Sequence, residues 1–414
     1  MKYFACLVFL FQSLVGLAQT PLTLQEAGEL LQKNNLLLLA EQYNISAAQA
    51  ATIQAKIWDL PYLSAELNAL NPSQNRLFDM GGKGQKAFAI EQIIYLGGKK
   101  KSEVEVAKGN EALAALQFEQ LLRNLKYTLA QNFYEMYYDG QRVENLDLQI
   151  SRLDTLLANY GKQVEKGNIA LKEQVRLQAF DFELKSEKNT LEQNILGYRQ
   201  NLALLTGVDG TIEPILNENE VIRKVTERFG SKEHILQEAL DNNLDYRMAN
   251  KLSENQALMI QWQKALAKPD LTAGLSYDQR GGAFNNQVNL TLGIPLPFWN
   301  KNKGNIQLAE AQAKQMGLNT AYEKRNIETQ TESLWAAWMQ QQSRLKSVDP
   351  ATENNLQEVY EGVLSNFQKR NISFLEFVDF MESYNQTVLQ LNEIKKSWIL
   401  SSLNLDHLTN NESF

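Results

Sequence analysis

Hydrophobic and polar residues alternate in four short segments of the chain. In Asn289–Ile294, for example, leucine or isoleucine occupies every second position, with asparagine, threonine or glycine between them. Alternation with a period of two places the apolar side chains on one face of a β-strand. The pattern predicts four strands, which cover about residues 61–72, 84–96, 269–280 and 285–297.

Around these segments the apolar positions follow a helical period instead. From Lys99 to Tyr160 there is no proline, and apolar residues recur every three or four positions. A helix of about 60 residues would be roughly 90 Å long, which indicates a coiled coil or a helical tube. Further helices are predicted over about 24–57, 171–205, 235–267 and 374–405, and from Lys303 to about Asn366 with a pause at Asp349-Pro350.

The two pairs of strands belong to two copies of one sequence unit. Asn34-Asn35-Leu36 reappears as Asn242-Asn243-Leu244, and further along Asn168-Ile169 reappears as Asn371-Ile372. Matches that keep their order over separated blocks indicate an internal repeat, in which each copy runs helix, hairpin, helix, helix. The predicted boundaries are 19–232 and 233–414 for the two repeats, with mixed segments at about 206–232 and 344–356.

The N-terminus is typical of a secretory signal peptide. Met1-Lys2 precedes an apolar run, and small residues stand before a cut ahead of Gln19, which predicts a signal peptide over residues 1–18. The single cysteine, Cys6, lies inside this segment. We therefore expect no disulfide, no cysteine-based metal site and no N-terminal lipid in the mature chain.

The strands are the segments through which the mature chain would enter a membrane. After residue 20 no stretch approaches the 18 uncharged apolar residues that a spanning helix requires, whereas strands of about ten residues with one apolar face are typical of outer-membrane barrels. Four strands cannot close a barrel, because the smallest have eight and unpaired edges are prohibitive in lipid. Several chains must therefore pool their strands, and the attached helices would continue the wall as a tube. Such an assembly is a conduit.

Composition and motifs argue against other classes of function. The chain has 414 residues and a formal net charge of −7, and no basic stripe with interleaved aromatics indicates nucleic-acid binding. The two histidines, His234 and His407, are far apart. The segment "GGKGQK" from Gly81 lacks the spacing of a phosphate-binding loop. We expect neither an enzyme nor a cofactor.

The sequence resembles the TolC-like outer-membrane efflux family over nearly all of the mature chain. The resemblance lies in the duplicated unit, in the strand exits "IIYLGGKKKSEVEVA" and "GIPLPFWNKNKGNIQLAEA", and in two helical tips, "YGKQVEKGNIALKEQV" and "YEGVLSNFQKRNISFLEFVDF". It implies a mixed α+β membrane protein of the outer membrane that extends into the periplasm. Three chains would form a 12-stranded barrel, four strands from each, continued by a periplasmic α-barrel. The mixed segments at about 206–232 and 344–356 would form an equatorial belt around this α-barrel. The first exit is most similar to the heavy-metal branch.

The same resemblance implies partners and positions for the functional residues. A homotrimer in outer-membrane lipid would bind a periplasmic adaptor and, through it, an inner-membrane pump. The implied adaptor-contacting tips are Gly167, Asn168, Ile169, Arg370, Asn371 and Ile372. Arg370 stands where the family pattern has glycine, which leaves the shape of the second turn open.

A gate is implied at an acidic pair on the last helix, Glu376 and Asp379, with Glu173 as a further candidate. Repulsion within a three-fold ring would raise the pKa values of these carboxyls, and Lys369 and Arg370 are candidate partners for them. The residues leave the transported substrate open.

A soluble periplasmic coiled-coil adaptor or scaffold is the alternative. It would account for the signal peptide and the long helices, but not for alternating strands at equivalent places in both repeats.

Overall fold

The computed structural model describes residues 19–208, 211–281, 283–299, 301–349 and 351–411. The predicted signal peptide, 1–18, and Pro350 at the predicted helix pause lie outside these residues. The chain divides into two compact units, a helical unit and a strand unit. The helical unit comprises the described residues within Met1–Leu39, Leu121–Asn243 and Ile327–Phe414. The strand unit comprises those within Ala40–Gln120 and Leu244–Asn326.

Helices account for most of the described chain, and several are long. The helices are α1 Leu24–Asn34, α2 Leu36–Lys56, α3 Lys99–Glu165, α4 Leu171–Thr206, α5 Glu218–Arg228, α6 Lys232–Asn242, α7 Leu244–Leu266, α8 Lys303–Lys346, α9 Thr352–Gln368 and α10 Phe374–Thr409. The strands are β1 Gln19–Leu22, β2 Tyr62–Leu67, β3 Leu70–Asn71, β4 Arg76–Leu77, β5 Gln85–Ile94, β6 Thr211–Pro214, β7 Leu271–Arg280 and β8 Phe284–Gly293. Among these helices, none is both long and apolar enough to cross a membrane.

Four strands of the strand unit form one antiparallel sheet in the order β2-β5-β7-β8. The predicted first strand is shorter than expected, because the chain leaves β2 after Leu67 and makes a small hairpin, β3-β4, before β5. The predicted last strand ends early, at Gly293. Pro295 and Pro297 follow, and proline has no N–H for a ladder hydrogen bond.

The sheet has one apolar and one polar face, as the register shows. Directly paired residues across the four strands form apolar rows on one side, namely Leu63, Ile90, Leu275 and Leu290, then Ala65, Phe88, Tyr277 and Val288. The rows on the other side are small or polar, namely Ser64, Ala89, Ser276 and Asn289, then Glu66, Ala87, Asp278 and Gln287. Within the described chain the leucines of the first row are exposed, and Leu290 has 71% of its surface accessible.

The helices predicted as continuous over 24–57 and 235–267 are each broken in two. The breaks fall at Asn35, between α1 and α2, and at Asn243, between α6 and α7. Both residues leave the helical conformation, with ψ angles of 116° and 123°. Each still donates its N–H to the preceding helix, to Leu31 O at 3.0 Å and to Ala239 O at 2.9 Å. A local preference for helix on both sides is thus interrupted at one residue in each copy.

Each buried asparagine joins its break to the end of another helix. The Asn35 side chain donates to Leu205 O at 3.1 Å, in the last turn of α4, and accepts from Leu38 N at 3.0 Å, which caps α2. The Asn243 side chain donates to Leu408 O at 2.9 Å, in the last turn of α10. The last carbonyls of a helix have no partner within the helix, so these bonds satisfy groups that burial would otherwise leave unpaired. The asparagines are only 3% and 4% exposed.

A parallel pair of short strands, β1 and β6, is not predicted from the sequence. Gln19 pairs with Thr211 and Leu22 with Pro214. The strand β6 lies inside the segment predicted to be mixed, about 206–232, and α5 follows it. Strands of four residues give too short an alternation to be recognised from the sequence.

We expect Asn35→Ala to destabilise the helical unit by about 2–3 kcal/mol, since it removes an N-cap and leaves a buried carbonyl unpaired. Asn243→Ala should show a comparable loss at its own site. Thermal unfolding followed by circular dichroism at 222 nm measures the effect. Asn44→Ala is the control, because the Asn44 side chain is exposed and bonds only to Glu41 on its own helix. An equal loss in the control would contradict the role of the break.

Candidate functional site at the helical tips

Two turns of the helical unit, one in each repeat, have the same hydrogen-bond pattern. After α3, Gly167 N donates to Val164 O and Asn168 N to Gln163 O, each at 2.9 Å. After α9, the corresponding bonds run from Arg370 N to Phe367 O at 3.0 Å and from Asn371 N to Asn366 O at 2.9 Å. Both turns are Schellman motifs, in which a residue in the left-handed conformation ends the helix. In both, the asparagine side chain also donates to the side chain five residues earlier.

Arg370 therefore takes the conformation that glycine has in the first turn. Its φ is 61°, against 73° for Gly167. The substitution left the shape of the second turn open at the sequence level, and the structure gives both turns one geometry. A side chain at this φ costs roughly 1–2 kcal/mol, because the Cβ approaches the following carbonyl oxygen. Of the other described non-glycine residues with positive φ, all are asparagine except Phe78.

Aromatic rings pack directly beneath the second turn. Phe367 stacks on Phe377 with ring centroids 4.0 Å apart, and Tyr160 of the first repeat lies 5.9 Å from Phe367 and 6.1 Å from Phe374. Phe367 is therefore a core residue, and it is 6% exposed. Burial and the nearby Glu173 raise the pKa of Tyr160 to about 12, while Arg370 opposes this shift. The two tips thus meet at one hydrophobic cluster.

The predicted contact residues differ in accessibility. Asn168, Arg370 and Asn371 are exposed. Ile169 and Ile372 are half-buried, and Ile372 packs against the hydrophobic cluster. Of the two isoleucines, Ile372 therefore has a structural role in addition to any role in contacts with a partner.

Glu376 of the predicted gate closes a capping box at the start of α10. The Ser373 N–H donates to Glu376 Oε2 at 2.8 Å, and the Glu376 N–H donates to Ser373 Oγ at 3.2 Å. Hydrogen bonds that the Glu376 carboxylate accepts from Ser373, from its backbone first and its hydroxyl second, lower the pKa of Glu376. Within one chain the pKa is thus lowered, whereas repulsion in a ring would raise it. The lower pKa keeps the carboxylate charged to lower pH than an unbonded glutamate.

Asp379 lies one turn further along α10 and forms an ion pair with Arg176 on α4. Asp379 Oδ1 is 3.7 Å from an Arg176 guanidinium nitrogen, and both side chains are exposed. Lys369 and Arg370 are the partners expected from the sequence, but in the described residues Asp379 pairs with Arg176 instead. The sequence does contain a signal for Arg176. When Asn168-Ile169 is aligned with Asn371-Ile372, Glu173 corresponds to Glu376 and Arg176 corresponds to Asp379. Glu173 is half-buried near the Tyr160 hydroxyl.

A buried polar cluster links α3, α4 and α10 within the helical unit. The Arg142 guanidinium donates to Glu187 Oε1 at 2.9 Å and to the Asn385 side-chain oxygen, and Asn385 donates to Glu187 Oε2 at 3.2 Å. Arg142 is 2% exposed. A buried charge requires such pairing. The described residues contain no group of three or more histidine, cysteine, aspartate or glutamate side chains that could hold a metal ion.

Comparisons with known proteins give one curated relative and several solved structures. No family model matches the chain. Over 299 residues the chain is 22% identical to the cobalt-zinc-cadmium resistance protein CzcC of Cupriavidus metallidurans, which covers 72% of this chain and 68% of CzcC. The fold is similar to that of CusC, with a TM-score of 0.74 and 15% identity over 93% of this chain and 91% of CusC.

Two further structures agree with this fold. The Campylobacter jejuni CmeC outer membrane channel has a TM-score of 0.73 and 14% identity over 94% of this chain and 85% of CmeC. The outer membrane protein VceC of Vibrio cholerae has a TM-score of 0.70 and 14% identity over 94% of this chain and 97% of VceC. The curated relative and the solved structures together indicate the TolC-like outer-membrane efflux channel family, which confirms the resemblance found in the sequence.

Proposed function

We propose that this chain is the outer-membrane channel of a tripartite efflux system, a passive exit duct that an inner-membrane pump drives through a periplasmic adaptor. The observation that carries the proposal is the four-stranded sheet. One of its faces exposes leucine, isoleucine and valine, the other is small and polar. An exposed apolar sheet face is costly in water but matches the hydrocarbon of a bilayer, and a polar opposite face suits a water-filled lumen.

The open edges of this sheet support an obligate trimer. Within the described residues β2 pairs only with β5, and β8 only with β7, so each outer strand has an unpaired edge. Unpaired backbone groups are not tolerated in lipid. Three copies joined edge to edge would form a closed barrel of 12 strands, and the helices that adjoin the strands would continue its wall into the periplasm.

The tips and the acidic residues near them have distinct roles in this proposal. The turns at Gly167–Ile169 and Arg370–Ile372 contact the adaptor. Glu376 and Asp379 form the gate, with Glu173 beside them, because three-fold symmetry would turn each carboxylate into a ring that attracts cations. The Arg176 guanidinium offsets part of the charge of Asp379. Glu376 therefore contributes more than Asp379 to the negative potential of the gate.

Heavy-metal cations, moved by a pump of the resistance-nodulation-division class, are the proposed substrate. The support is the relative CzcC, which is named for cobalt-zinc-cadmium resistance. The carboxylates at the proposed gate fit a cationic substrate. A soluble coiled-coil adaptor, the alternative from the sequence, is disfavoured because its surface would not need a sheet with one exposed apolar face.

Assembly is tested by placing a charge on the apolar face. Leu292 is exposed on that face, next to Ala273 in the register. We expect Leu292→Arg to cost about 2–4 kcal/mol at the middle of a bilayer and to abolish the trimer that resists SDS until heated. Thr291→Arg is the matched control on the polar face, where Thr291 pairs with Gly274. Equal trimer yields for the two variants would refute the face assignment, and a soluble wild-type monomer would refute the channel itself.

Docking at the tips is tested with Ile169→Asp alone, because Ile372 also packs against the core. A carboxylate at this half-buried position would be desolvated in an interface. We expect loss of efflux, measured as metal or drug resistance, with a normal amount of trimer in the outer membrane. Resistance equal to wild type would remove the first turn from the interface.

The gate is tested with Glu376→Gln/Asp379→Asn, since alanine at residue 376 would also break the capping box. Removal of the negative rings should release most of the block that divalent or trivalent cations produce when they are applied from the periplasmic side. Conductance in planar bilayers measures this block. Glu382→Gln, an exposed carboxylate further along α10, is the control. If the double variant is blocked at the wild-type concentration, the ring lies elsewhere and Glu173 is the next residue to test.

A further inference from the structure

The turns at the helical tips carry unpaired positive charge in a chain that is acidic as a whole. Lys166 and Lys369 directly precede the left-handed residues of the two turns, Arg370 is itself such a residue, and Lys172 follows in the first turn of α4. All four side chains are exposed. In the described part of the chain none of them forms an ion pair. The net charge of the whole chain is −7, so this local excess of cations is not a general property of the surface.

Several carboxylates near the turns already have partners. Glu376 accepts the hydrogen bond of the capping box, Asp379 pairs with Arg176, and Glu361 pairs with Arg152 at 2.6 Å. Glu165, the last residue of α3, is exposed beside the first turn. Even with Glu165 and the half-buried Glu173 counted, the segments 165–173 and 368–373 carry two negative and four positive charges. Among the charges of the turns themselves, positive ones are therefore in excess.

The conformation of Arg370 indicates that its charge is used. The fold needs a left-handed residue here, and glycine fulfils this need in the first turn at no steric cost. Arginine adopts the same conformation with strain. Strained residues persist at sites where function requires the side chain, and the direction of inference runs from the observed strain to the function.

We propose that the two tips form a basic docking surface whose partner presents carboxylates, namely an acidic end of a helical hairpin of the adaptor. This inference rests on the proposed function and adds the chemistry of the contact. Lys166 and Lys369 occupy the same position in the two turns, so each chain offers two similar sites and a trimer offers six. Complementary charge accelerates encounter and selects the partner, and its effect decreases with salt.

A crosslinking experiment tests the proposal on the full chain. The described residues contain no cysteine, so Asn168→Cys can carry a single benzophenone label at the first turn. The labelled trimer is mixed with solubilised envelope of the bacterium that encodes it and irradiated, and mass spectrometry identifies the crosslinked peptide. We expect a peptide from the end of a helical hairpin with net negative charge. Its yield should fall severalfold between 50 and 300 mM NaCl.

Charge variants decide between this inference and a merely structural role for the tips. Lys166→Gln/Lys369→Gln/Arg370→Gln should lower the yield about tenfold. The control Lys301→Gln/Lys314→Gln/Lys324→Gln removes the same charge from exposed residues outside the tips and should leave the yield unchanged. Arg370→Gly should raise the unfolding temperature by about 2 °C, because strain is lost, and yet weaken crosslinking. Lys369→Glu/Arg370→Glu should lose crosslinking to the wild-type partner. The crosslinking yield should be restored when the acidic residue of the partner's crosslinked peptide is replaced by lysine.

Four outcomes would overturn the inference. These are a neutral or basic crosslinked peptide, a yield that the triple tip variant does not change, a label that captures anionic lipid instead of protein, and no crosslink at all. In each case an SDS-resistant trimer that conducts ions in bilayers would leave the proposed channel intact. A failure to form that trimer would instead count against the proposed function.

Discussion

The helical unit depends on how buried backbone groups are satisfied where helices end. Asn35 and Asn243 each interrupt a helix and use one buried amide to bond the last turn of another, α4 in the first case and α10 in the second. These bonds connect residues about 170 positions apart in the chain. A long helix gains little from its own propensity once its end is buried with unpaired carbonyls. The two asparagines remove that cost and thereby fix where the returning helices stop.

The strand unit has the complementary problem, because its sheet leaves backbone groups and an apolar face without partners. One chain provides four strands with a consistent apolar and polar face, yet four strands cannot close. Under the proposed function, each chain would therefore supply only a fraction of a barrel.

At the tips, two turns have similar backbones with different side chains. Both turns are Schellman motifs, but glycine holds the left-handed position in one and arginine in the other. In the sequence alignment Glu376 and Asp379 correspond to Glu173 and Arg176. An acidic pair at the second tip thus corresponds to a pair of opposite charges at the first. Arg176 then bonds Asp379 directly. The two turns thus share a backbone geometry and differ in the charges of their side chains.

The sequence by itself determined the element types, the long helices and the alternation of the strands, because these follow from local periodicity. The helix predicted from Lys99 ends at Glu165, and the return helices begin at Leu171 and Phe374 as expected. The left-handed residue of the first tip fits the local sequence, because glycine takes this conformation at no steric cost, whereas the conformation of Arg370 contradicts its intrinsic preference.

Tertiary structure decided the rest. The breaks at Asn35 and Asn243 depend on carbonyls that arrive from distant helices, and the pairing of β1 with β6 joins segments too short to be recognised. The partner of Asp379 is Arg176 on another helix, although Lys369 and Arg370 are nearer in sequence. The local sequence pattern determines which backbone conformation has a low free energy. Which polar groups become buried, and which distant residue satisfies them, is fixed only when the helices pack together.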